Sequence, residues 1–191
     1  MVTNESPKLL VFLGNAGARY ARTRHNAGWM LLDRFCDAGN WQRKFKAVWT
    51  RFTIAGNSVL FLKPQTMMNL SGESVQAAMR YFRYAPDQVV VAHDDVELAF
   101  GQVGIRMGGG PAGHNGLRSV ANCLSTRDFW RLRIGVGRPS QGDLHDHVLG
   151  RFSPEEEIAL PGILNEIAAL VEAGVRSGFN EILPKDIPMR R

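Results

Sequence analysis

Four short segments of this chain set histidine or asparagine beside glycine: TRHNAG at 23–28, LGNAG at 13–17, MMNLSG at 67–72 and GHNG at 113–116. A fifth, His93-Asp94-Asp95, adds carboxylates. Histidine accepts a proton near neutral pH. Asparagine offers paired donor and acceptor groups without charge. An acid next to a histidine fixes its tautomer. These residue types together predict a general-base hydrolase with an amide-lined cleft and no side-chain nucleophile. His25 is a candidate base, Asp94 a candidate functional carboxylate, and Asn15, Asn69 and Asn115 candidate amides. Taken singly, a capping histidine and turn-forming asparagines are the blander alternatives. His25 stands just before an expected helix start, where the dipole disfavours an imidazolium and keeps the ring neutral.

The elements that position these residues follow from hydrophobic period. Residues 9–13, LLVFL, read as a buried strand. Residues 26–38 read as a helix with Asn26 as N-cap. Strands at 47–55 and 58–63 form a hairpin joined at Gly56-Asn57. Ser71 caps a helix with Val75, Ala78, Met79 and Phe82 on its apolar side. Residues 89–92 and 103–107 are strands, 108–113 a glycine loop and 115–124 a helix. Residues 131–136 alternate as a half-buried strand does, and the polar 137–147 reads as a mobile loop. SPEE at 153–156 is a capping box that starts a helix running to about Ser177, with Pro161 as a break or kink.

Strands alternate with helices, so the expected class is α/β. The expectation is one three-layer domain over 1–191, core about 8–178, with short tails. Its mixed twisted sheet has a parallel centre, with helices on both faces. Loops at the carboxyl ends of the strands then gather Asn15, Asn69 and Asp94 at one edge.

The net charge of +5 suits a polyanionic partner. Arg106 and Arg133 fall on strands beside the glycine loop, where guanidinium groups grip phosphate. Cys36 and Cys123 lack metal spacing and read as reduced core thiols of a cytoplasmic protein. No signal-peptide pattern opens the chain, and no stretch reads as long enough to span a membrane. The loop at 108–113 formally contains GxGxxG, but Pro111 removes a donor and Asp128 precedes the next strand, so a cleft-gating loop is preferred to a dinucleotide site. His145-Asp146-His147 with Asp143 lacks a metal-ligand spacing.

From Leu9 to about Gly178 the chain resembles the bacterial peptidyl-tRNA hydrolase family, carried by LVFLGNAGARYARTRHNAGW, KPQTMMNLSGESV, VVAHDDVEL, GGGPAGHNGLRS and FWRLRIGVGRP in the family's order and spacing. The resemblance implies hydrolysis of the ester between a peptide and the 3′ end of tRNA, with His25 as base and Asp94 as its orienting partner. It implies that Asn15, Tyr20, Met68, Asn69 and Asn115 line the peptide and 3′-terminal cleft, that His114 supports the loop carrying Asn115, and that Arg106 and Arg133 meet the tRNA 5′-phosphate. It also implies a monomer without metal or cofactor. A non-catalytic RNA-binding relative of the splicing type is the alternative. The family usually has proline where this chain has Ala16 and Ala99, and often glutamate at Asp95. Looser loops near the site are expected from the two missing prolines.

Overall fold

The computed structural model describes residues 6–35, 40–179 and 182–186. Eight strands form one sheet: β1 Leu9–Phe12, β2 Gln42–Lys44, β3 Ala47–Ile54, β4 Asn57–Pro64, β5 Val89–Asp95, β6 Gln102–Met107, β7 Trp130–Gly135 and β8 Ile182–Asp186. Their order is β2-β3-β4-β1-β5-β7-β6-β8. The four inner strands β4, β1, β5 and β7 run parallel, and antiparallel strands flank them on both sides. The strands of the parallel centre are covered on both faces, so β1 and β5 read as unbroken apolar runs.

Helices cover the two faces. α1 (Ala27–Leu32) and α5 (Pro154–Ser177) pack over Leu10, Phe12, Val90, Leu132 and Ile134. α2 (Ser71–Phe82) and α3 (Asn115–Leu124) pack over Leu9, Val11, Leu60, Leu62 and Val91. Alternation along each strand sends odd-numbered residues of β1, β5 and β7 to the α2–α3 face. Beyond the edge of α3 that face carries His93, Asp95, Arg131 and Arg133. Arg106 joins them, since it pairs with Arg131 across β6 and β7.

Several elements differ from the sequence expectation. Asn26 occupies the N-cap position of α1, but its side chain does not cap. A 3-10 turn, Arg24–Asn26, precedes the helix, and α1 ends at Leu32; the remainder of the expected span, with Cys36, includes residues outside those described. The hairpin turns at Ala55-Gly56, both at positive φ, and Asn57 already pairs with Ile54. Ser71 is the first residue of α2 rather than its cap, and its buried hydroxyl has no partner among the described residues. β7 is buried along nearly its whole length, Arg131 included, because β5 and β6 flank it. The loop expected at 137–147 gives way to α4, Leu144–Leu149, whose cap is Asp143 accepting from His145 N–H at 3.1 Å. β8 extends the sheet beyond residue 178 by pairing with β6.

α5 begins with the expected capping box, Ser153 with Glu156, and runs through the exposed Pro161 without a break. Contrary to the sequence expectation, this 24-residue helix is long and apolar enough, by length and composition, to cross a membrane. Its apolar residues are those a core helix needs. Leu160, Ile163, Leu164, Ile167, Val171 and Val175 are all buried in the core beneath the sheet.

A candidate active site at the carboxyl edge of the sheet

His25 comes to the sheet on the 3-10 turn at Arg24–Asn26. Two ties hold that turn. Asn26 Oδ1 accepts from Asn15 N–H at 2.8 Å, and Asn26 Nδ2 donates to Asn15 O at 3.0 Å, joining the turn to the end of β1. Arg24 donates to Glu156 Oε2 at 2.6 Å and to the Arg151 carbonyl, joining the turn to the start of α5. Gly28 makes the approach possible, because a Cβ there would stand 2.6 Å from Leu13 O and 2.8 Å from Ala92 O. Such distances are far inside van der Waals contact, so only glycine lets α1 sit this low on β1 and β5.

Asp94, 2 % exposed near the end of β5, is bonded by two histidines. His25 Nδ1 lies 2.9 Å from both carboxylate oxygens, and His114 Nε2 lies 2.9 Å from Oδ1. His114 is the N-cap of α3, where its Nδ1 accepts from the N–H groups of Gly116 at 3.1 Å and Leu117 at 3.2 Å. The network assigns the protons. With Nδ1 accepting, the proton of neutral His114 is on Nε2 and points to Asp94. His25 donates from Nδ1 to the same carboxylate, so in the neutral ring Nε2 carries a lone pair and bonds no described residue.

Electrostatics here differ from the sequence expectation. Burial pulls the His25 pKa down, but the charge of Asp94 and its hydrogen bond outweigh burial, and the pKa stands above 6.5. The helix start does not dominate, because the carboxylate is in direct contact. Burial works to raise the Asp94 pKa, yet His25 and His114 hold the carboxyl well below the usual carboxylate range. His93 is pushed down to about 4, first by burial and then by His114, against the opposing pull of Asp95 and Asp94.

A cleft of about 480 Å³ opens beside this network. His25, Asp94, His114, Asn115, Arg106 and Arg133 all line it. So do the glycine loop, Arg131 and one side of α4 through Leu144, His145 and Val148. The other expected site residues stand outside its walls. Asn15 is buried, but its Oδ1 is taken by Met68 N–H at 2.8 Å, so it fixes the 3-10 turn at Met68–Leu70. Met68 abuts Gly116 at the start of α3. Asn69 is exposed on that turn between the exposed Met67 and Leu70, and Tyr20 is half-buried under Arg19. Asn69 and Asn115 are exposed, and the Asn15 side-chain oxygen is satisfied.

A profile of the family described as "Peptidyl-tRNA hydrolase" matches residues 9–187. A protein of that name from Geotalea daltonii is 42% identical over 198 residues, covering 95% of each chain. One from Staphylococcus aureus strain JH9 is 40% identical over 92% of this chain and 95% of its own. The crystal structure of the Arg119Gln mutant of peptidyl-tRNA hydrolase from Acinetobacter baumannii superposes with a TM-score of 0.83 at 34% identity, covering 91% of this chain and 90% of that one. The chain belongs to the peptidyl-tRNA hydrolase family.

Three donor atoms of His25, Asp94 and His114 lie within 4.8 Å of one another, close enough to suggest a metal. The caps argue otherwise. A cation on His114 Nε2, with Nδ1 still accepting two backbone N–H groups, would require an imidazolate. His145 and His147 sit on α4 two residues apart, so they face different ways, and His147 Nε2 meets Val136 O at 3.2 Å. The glycine loop does not cradle a dinucleotide either: it follows a strand antiparallel to β7, and it turns the carbonyls of Gly109 and Gly110 toward Arg131. The turn at Ala99, expected to be looser, is closed by Gln102, whose N–H bonds Ala99 O at 3.0 Å and whose side chain accepts from Ala99 N–H at 3.2 Å. Sequence reasoning missed α4 as a wall of the cleft; the Asp143 cap ahead of Leu144, Val148 and Leu149 was its one local signal.

Proposed function

We propose that this chain hydrolyses the ester joining a peptide to the terminal ribose of tRNA, with neutral His25 as the general base. The observation that carries this is the His25 Nδ1 contact at 2.9 Å to both oxygens of a buried Asp94, in the wall of the cleft. Nε2 takes a proton from water as the water oxygen attacks the ester carbonyl. Asp94 holds the ring and offsets the imidazolium. The same Nε2–H then protonates the departing ribose oxygen, so the proton is returned and no covalent intermediate forms. Of the asparagines expected to supply an amide donor to the developing oxyanion, Asn115 is the one in the cleft wall; such a donor is worth about 3 kcal/mol where measured. An ester is reactive enough that a base and good positioning suffice.

Arg106 and Arg133 bind the 5′-phosphate. Arg106 is exposed and lines the cleft, while Arg133 keeps its Nε on Asp95 at 2.7 Å and has its two Nη groups left for phosphate. Asn15, Met68, Asn69 and Tyr20 serve the peptide and 3′-terminal nucleotides, Asn15 by fixing the turn that presents Asn69. A free α-ammonium is poorly accommodated in a site built for a neutral amide, which spares aminoacyl-tRNA. The protein works as a single-domain monomer in the cytoplasm without metal. One continuous sheet from β2 to β8 and a free Cys123 agree with that reading.

The test is a side-by-side incubation with N-acetylaminoacyl-tRNA and free aminoacyl-tRNA. The wild type should cleave only the first, and His25→Ala should lose at least about a hundredfold in kcat while keeping its thermal transition. Near-normal turnover by His25→Ala would remove the base assignment.

A further inference from the structure

Arg131 is 4 % exposed, and no carboxylate among the described residues pairs with it. A buried guanidinium without an acid is destabilising unless other groups satisfy it. Here Nη1 donates to Gly110 O and Nη2 to Gly109 O, while Nε has no partner among the described residues. Burial, then the charges of Arg106, Arg127 and Arg133, pull its pKa down to about 10 against the pull of Asp95, so it stays charged at neutral pH.

Those two carbonyls belong to a loop with little else to hold it. Gly108, Gly109, Ala112 and Gly113 all have positive φ, and Ala112 pays strain for it. The loop's own backbone bonds are Gly108 N–H to Phe129 O at 3.0 Å and His114 N–H to Pro111 O at 2.8 Å. Between them, the Arg131 fork is what fixes Gly109 and Gly110. The next residues are His114, which bonds Asp94, and Asn115, which lines the cleft.

We propose that Arg131 is a positioning residue for hydrolysis: its guanidinium clamps the glycine loop so that His114 reaches Asp94 and Asn115 faces the scissile ester. It acts through the loop and not on phosphate, although Arg106 and Arg133 share its face of the sheet. The inference rests on the general-base reading of the cleft.

The test compares two substrates under single-turnover conditions: N-acetylaminoacyl-tRNA, and N-acetylaminoacyl-adenosine, which has the same ester but no RNA body and no 5′-phosphate. Arg131→Met keeps the length and removes the donors. Its rate should fall by a similar factor on both substrates, roughly ten- to a hundredfold as for a misplaced site. KM for the short substrate should change less than kcat. The Gly116 and Leu117 amides, which His114 caps, should exchange hydrogen faster. Arg131→Lys, which keeps the charge and can reach one carbonyl, should recover part of the rate; it carries the same measurements if the Met variant does not fold. A loss confined to KM for the full tRNA would make Arg131 a phosphate contact and overturn the proposal, as would normal rates on both substrates. Wild-type protein that cleaves neither substrate would sink the reading of the cleft instead.

Discussion

Replacing Asp94 by asparagine removes one charge and almost no volume, so it isolates what the carboxylate does for His25. Two effects follow from the geometry. His25 Nδ1 stands 2.9 Å from each oxygen, so an imidazolium formed during attack is stabilised by direct contact. Unit charges about 4 Å apart interact by about 4 kcal/mol at an effective dielectric near 20, which is roughly a thousandfold in rate. The amide also places an NH2 where an oxygen accepted, which drives the His25 proton to Nε2 and abolishes the base; in Ser-His-Asp enzymes this fault costs about 10⁴. The two effects share one contact and do not add, so kcat of Asp94→Asn should fall by roughly 10³–10⁴. The pH profile gives an independent sign. A base works when deprotonated, so the wild-type rate should reach half its plateau above pH 6.5, because burial is outweighed by Asp94. In Asp94→Asn burial acts unopposed, and the residual rate should reach half its plateau below pH 6.5. The assay is release of N-acetyl amino acid from N-acetylaminoacyl-tRNA between pH 5 and 9. A variant that loses less than tenfold, with its acidic limb unmoved, would refute the argument.

Arg106→Ala should lower by about one the slope of log affinity for tRNA against log salt, with kcat at saturation unchanged; an identical slope would take Arg106 out of the phosphate contact. Gly28→Ala forces a methyl against Leu13 O and Ala92 O, so the chain should lose about 1–3 kcal/mol, seen as a thermal transition several degrees lower. Its kcat should fall as well, because α1 can only relieve the clash by lifting His25 away from Asp94.

Residue pattern alone was enough to specify the class of the fold. Continuous apolar runs such as 9–13 and 89–92, bounded by turn residues, read as strands covered on both faces, and helical periods between them point to parallel crossovers. That His25 and Asp94 would share one edge was legible too, since both sit at ends of elements that such a sheet brings together. Local boundaries were less secure. Asn26 and Ser71 look like caps because their side chains commonly cap, yet tertiary contacts claim the first for Asn15 and bury the second. α4 hid within polar residues because a short helix packed on a turn needs few apolar positions.

Which partners each of these side chains meets was fixed by folding. Asn15 and Asn115 look alike in a string of letters. One is spent on a backbone N–H while the other faces the cleft, because bonding partners come from segments far away in sequence. The same holds for His114, whose tautomer is set by the helix it caps, and for His25, whose raised pKa is the balance of burial against one carboxylate. Period and composition report what a residue can do over a few neighbours. Which of those capacities remains unspent depends on distances between strands and loops that only the folded chain defines.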